Sequence, residues 1–181
     1  MTKKNFLKEN TIVYGSLYCK NQLITRIKLP NNLTIKGNLL LYNSHINILP
    51  NNLTVKGDLN ISYTSIKEIP SSLSLSGHLL ASGAKIRSFE DKIVKIKYCN
   101  LSGCHKLYLE DNMTFTGFLD ISHTNIKKLP KNLTVCKSLI INKGSKIKSL
   151  PNCLNVLERI HLIGNNDLVE IPRHLKDKCV Y

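Results

Sequence analysis

The chain has 181 residues, 42% of them hydrophobic, with 26 Lys and Arg against 12 Asp and Glu and a formal net charge of +14. That suits one folded domain with a substantial core and excludes a disordered chain. The expectation is a cytoplasmic protein, because neither a secretory signal peptide nor the ~18-residue apolar run of a membrane span is legible.

In chain order, residues 1–10 read as a basic N-terminal arm, 11–171 as repeats and 172–181 as a C-terminal cap, all within a single domain of residues 1–181. The repeats announce themselves by self-similarity. Leu29-Pro30-Asn31-Asn32-Leu33-Thr34-Ile35-Lys36-Gly37 returns as Leu49-Pro50-Asn51-Asn52-Leu53-Thr54-Val55-Lys56-Gly57, again from Ile69, and later as Leu129-Pro130-Lys131-Asn132-Leu133-Thr134-Val135. Coil starts fall at Leu29, Leu49, Ile69, Phe89, Leu109, Leu129, Leu150 and Ile171, a period of 20 or 21 residues. An earlier, degenerate coil carries Gly15, Leu17, Cys19 and Ile24 in matching places.

Within a coil, Leu53/Val55 and Leu59/Ile61 are each spaced by two, as in a strand with one buried face. Gly57 divides the two pairs, and Pro50 presets a turn. No segment carries a 3.6-residue period over three turns. The predicted fold is therefore mainly β with little helix: a solenoid of about eight coils, each of two short extended segments. One coil cannot offset its own ordering entropy, so neighbouring coils must supply hydrogen bonds and apolar contact. The coil from Phe89 to Tyr108 lacks the usual Pro and Gly. Extra residues at Cys104-His105-Lys106, Gly144-Ser145-Lys146 and Asn165-Asn166-Asp167 predict local bulges.

Leu119-Asp120-Ile121-Ser122-His123-Thr124-Asn125-Ile126-Lys127-Lys128-Leu129-Pro130 resembles the leucine-rich repeat, L-x-L-x-x-N-x-L-x-x-L-P. Ser44, Thr64 and Thr124 stand where that family places Asn, and Asn165 keeps it. The short period and the Leu-Pro resemble the bacterial subclass, and the Asn-Leu-Thr-Val-x-Gly-x-Leu wording resembles repeat proteins of bacteria and tailed phages. The resemblance spans roughly residues 11–175 and implies a leucine-rich-repeat solenoid that binds a target through its variable positions. Carried further, it implies a phage or bacterial inhibitor that blocks a host defence enzyme or toxin.

Alignment of the coils assigns Tyr18, Leu40, Tyr42, Tyr63, Leu80, Tyr98, Phe118 and Ile140 to the outer face of the second strand. Aromatic and apolar area of that extent is the signature of a partner-binding surface. The competing readings are a face covered by the N-terminal arm or by a dimer mate, or residues that belong to the core. A second column is basic. Arg26 and Lys28 lead to Lys67, Lys85, Arg87, Lys106, Lys127, Lys128, Lys146 and Lys148, a ridge that could attract nucleic acid or could be a solvated face that deters strand-edge pairing.

The six cysteines lack metal or disulfide spacing and read as small apolar residues. No phosphate-binding loop, zinc-protease motif or nucleophile elbow occurs. Glu90-Asp91 and Glu110-Asp111 could pair as carboxylates across neighbouring coils, but read more simply as turn residues. The expectation is a non-enzymatic binding protein with no cofactor, no metal, no small-molecule substrate and no membrane association.

Overall fold

A computed structural model describes residues 7–19 and 28–181 of the chain. Arg26, Ile24 and the first part of the N-terminal arm lie outside the described residues.

The predicted solenoid is present. One side, the front, is a continuous nine-stranded parallel sheet taken one coil at a time: Leu17–Tyr18, Leu39–Leu40, Leu59–Asn60, Leu79–Leu80, Tyr98–Asn100, Phe118–Asp120, Leu139–Ile140, Ile160–His161 and Cys179–Val180. Its register stacks Leu17, Leu39, Leu59, Leu79, Cys99, Leu119, Leu139, Ile160 and Cys179 in one column. Leu39, Leu59, Leu79, Cys99, Leu119, Leu139 and Ile160 are buried in the core. The neighbouring column of Leu41, Ile61, Ala81, Leu101, Ile121, Ile141 and Leu162 is buried as well.

The back side carries the other predicted strand of each coil. Here the sheet is split into two parallel groups of four. Ile12–Val13, Thr34–Ile35, Thr54–Val55 and Ser74–Leu75 form one, and Ile93–Val94, Thr114–Phe115, Thr134–Val135 and Asn155–Val156 form the other. The split falls at the irregular coil. Val94 pairs with Phe115 across a 21-residue step, whereas Cys99 pairs with Leu119 across 20, so this coil reaches its back strand one residue early.

Turns between the sides are built by side chains that stack from coil to coil. Asn32, Asn52, Asn112 and Asn132 all adopt left-handed backbone, which Asn tolerates better than most residues. The Asn52 amide donates to Asn32 Oδ1 at 2.8 Å, and the Asn132 amide to Asn112 Oδ1 at 2.9 Å. Gly57 sits so close to the coil before it that an added Cβ would lie 2.9 Å from the Gly37 backbone. Ser44, Thr64 and Thr124 are buried and donate to the carbonyl three residues earlier, closing their turns locally. Asn165 in the same column donates instead to Ile141 O of the preceding coil. The differing reach of a hydroxyl and an amide accounts for the two patterns.

Helix is confined among the described residues to a 3-10 segment, Arg173–Lys178, which buries Leu175. The two-segment description of a coil is incomplete, because a third side exists. Glu68–Ile69 pairs in parallel with Ser88–Phe89, and Ser149 bridges Glu170.

Candidate functional site: the front face and the lysine side

The front sheet alternates inward and outward side chains. Tyr18, Leu40, Asn60, Leu80, Asn100, Asp120, Ile140, His161 and Val180 form one outward column by register. Tyr98 and Phe118 are paired two residues earlier, and Tyr42 and Tyr63 follow the strands at the rim. Tyr18, Leu40, Leu80, Tyr98, Phe118 and Ile140 thus lie in the strands of this face, Tyr42 and Tyr63 lie in the turns just beyond them, and none of the eight is in the core. Tyr18, Tyr63 and Phe118 are exposed, while Leu40, Tyr42, Leu80, Tyr98 and Ile140 are half-buried by their neighbours.

The rings form an ordered run. His78 meets Tyr98 edge-on with centroids 6.0 Å apart, and Tyr98 meets Phe118 edge-on at 6.5 Å. Such T-shaped pairs satisfy the ring quadrupoles. Burial raises the Tyr98 phenol above its ordinary range, and the neighbouring Asp120 carboxylate raises it further by charge and hydrogen bond. Beneath the rings, Asn60, Asn100 and Asp120 each accept from the backbone N–H of the serine two residues on, which pins the strand ends.

Tyr63 occupies left-handed backbone at φ 57°, costly for a bulky side chain. Its ring leans over Gly83, where an added Cβ would lie 2.6 Å from a ring carbon. Glycine in the next coil thus makes room for an exposed tyrosine at the rim.

The basic residues fall on the third side. Lys67, Lys85, Arg87, Lys106, Lys127, Lys128, Lys146 and Lys148 are all exposed. The two ion pairs among the described residues, Lys92–Glu110 at 3.7 Å and Lys137–Glu158 at 2.8 Å, use none of them. Lys127, Lys128, Lys146 and Lys148 line a notch of about 600 Å³ with Ser149 and Asp167. Lys127 and Lys128 also border an adjoining hollow of about 360 Å³ beside Tyr108 and Asn125.

The column reading missed exposed apolar residues elsewhere. Tyr14, Ile48, Tyr108 and Val169 are each at least 65% exposed and lie outside the front columns. Single positions in otherwise polar columns give no periodic signal.

The acidic pairs act at turns. The Glu90 carboxylate accepts from the Ser71 N–H and hydroxyl, bonds that lower its pKa, and Asp111 accepts from the Lys131 N–H. All six cysteines are free thiols. Among the described residues no group of three His, Cys, Asp or Glu is placed to hold a metal ion, and no helix is long and apolar enough to cross a membrane. Compared with protein-family models, with curated proteins and with solved structures, the chain matches none.

Proposed function

We propose that the chain is a non-catalytic binding solenoid of the leucine-rich-repeat kind that docks one protein partner on its front face. The observation that carries this reading is the continuous nine-stranded sheet with Tyr18, Leu40, Tyr42, Tyr63, Leu80, Tyr98, Phe118 and Ile140 on its outer side. Nine parallel strands hold these side chains in fixed ranks, so little ordering remains for binding to oppose. Tyrosine supplies contact area with few rotatable bonds. The +14 charge favours an acidic partner and speeds the encounter.

On the likeness of the repeat wording to bacterial and tailed-phage proteins, the role is inhibition. The chain works in a cytoplasm, that of the host if it is phage-encoded, and blocks a defence enzyme or toxin by covering a surface the target needs. The test is capture from host lysate on the immobilised chain, with nuclease added. A partner that saturates, survives nuclease and is lost on Tyr42→Ala plus Phe118→Ala, with the circular dichroism unchanged, supports this reading. Capture unaffected by that pair removes it.

A second reading rests on the unpaired lysines of the third side, which would follow a nucleic-acid backbone. It expects binding that weakens steeply between roughly 50 and 200 mM salt and fails on charge reversal at Lys127 and Lys128. A flat salt response eliminates it.

A further inference from the structure

On the third side, N–H groups of two coils donate in pairs to the coil before. Arg87 and Ser88 both donate to Lys67 O, at 2.7 and 3.4 Å, and Val169 and Glu170 both donate to Lys148 O, at 2.9 and 3.2 Å. Two adjacent N–H groups thus share one carbonyl oxygen. By alignment of the coils, Lys148 and Ser149 hold the same two places, and Lys127 O is the carbonyl they would share. That junction is open. Among the described residues no backbone hydrogen bond joins residues 125–129 to the coil on either side. The Asn125 side chain, donating to His105 O at 3.0 Å, is the one polar tie.

Lys127 and Lys128 face Lys146 and Lys148 of the following coil across this opening. The parted coils enclose the 600 Å³ notch, with four ammonium groups against one carboxylate, that of Asp167. A volume of that order accommodates a small molecule. Lysine ammoniums are point charges that meet oxyanions without demanding the planar fork of arginine. Adjacent N–H groups converging on one point form an anion-binding concavity of the kind that backbone nests provide.

We propose that this notch binds a compact oligophosphate. One phosphate oxygen takes the place of the missing carbonyl over the Lys148 and Ser149 N–H groups, and Lys127, Lys128, Lys146 and Lys148 neutralise the remaining charge. The site lies on the third side and is independent of docking on the front face.

The experiment is calorimetric titration with tripolyphosphate in roughly 150 mM salt, where the Debye length is about 8 Å. It compares the unmodified chain, Lys127→Gln plus Lys148→Gln, and a control pair, Lys67→Gln plus Lys85→Gln. The control lysines are two to four coils from the notch, roughly 10–20 Å, at or beyond that screening length, so their charges reach it weakly. One saturable site is expected, weakened about tenfold per notch lysine and little changed in the control pair. The Lys148 and Ser149 amide resonances should shift together as the site fills. Absence of saturable binding overturns the proposal, as does equal weakening by the two pairs. A single-stranded oligonucleotide that binds more tightly than tripolyphosphate, and is weakened equally by both pairs, assigns the lysines to a nucleic-acid track and also overturns it. Neither result bears on Tyr42 or Phe118, so the front-face reading is judged separately.

Discussion

Two left-handed residues at comparable turns do different work. Asn52, at φ 54°, adopts this backbone at small cost and ties its coil to Asn32 through the side-chain amide. Asn52→Ala loses that bond and forces an ordinary side chain into the left-handed region, so a loss of about 1–3 kcal/mol in chemical denaturation is expected. Tyr63, at φ 57°, joins the next coil through its backbone N–H, which donates to Ser82 O at 3.0 Å and which any residue but proline would supply. Tyr63→Asn should leave stability within about 1 kcal/mol of the unmodified chain, while partner capture falls if the rim tyrosine contacts the partner. The thiols divide in the same way. Cys99 is fully buried and pushed up mainly by burial; Cys104 is raised from 9.0 to about 12, also by burial, against two backbone hydrogen bonds that lower it. A thiol raised on folding keeps its proton longer than it does in the unfolded chain. Its contribution is therefore complete below pH 9.0 and is lost as pH rises toward about 12. In native buffer at neutral pH a thiol reagent should modify exposed Cys153 quickly and spare Cys99 and Cys104 until the chain unfolds.

At the scale of elements, the two sheets differ in continuity, and this has a dynamic consequence. The front sheet runs unbroken through the irregular coil at Tyr98–Asn100, whereas the back sheet stops at Ser74–Leu75 and restarts at Ile93–Val94. Backbone groups facing a gap are protected less than those inside a ladder. Hydrogen exchange should therefore be faster for the Ile93 and Lys95 amides than for the Leu79, Cys99 and Leu119 amides. Equal protection on the two sides would mean that the back sheet is closed in solution. The missing Pro and Gly of this coil pointed to irregularity at the right place. That the irregularity would split one sheet and spare the other was not readable, because it depends on where a one-residue offset is absorbed. Here it is made up between Val94 and Tyr98, before the front strand begins.

For the whole molecule, the net charge is the dominant long-range term. With 26 basic and 12 acidic residues, and two ion pairs among the described residues, most cations are left to repel one another. Self-repulsion destabilises the compact state and is screened by salt. The midpoint of thermal unfolding should accordingly rise with sodium chloride, and tripolyphosphate should raise it further at equal ionic strength if the notch binds it. A melting temperature that falls with added salt would show that the basic side is already compensated.

The period, the inward columns and the outward rank from Tyr18 to Ile140 were all determined by the amino-acid order alone. A strand alternates faces every residue, and a 20-residue repeat returns each face to the same place. Only the tertiary structure decided the third side, the split in the back sheet and the opening beside Lys127 and Lys128. Those features depend on whether a backbone N–H of one coil meets a carbonyl of the next. One residue gained or lost changes that meeting without altering the hydrophobic pattern.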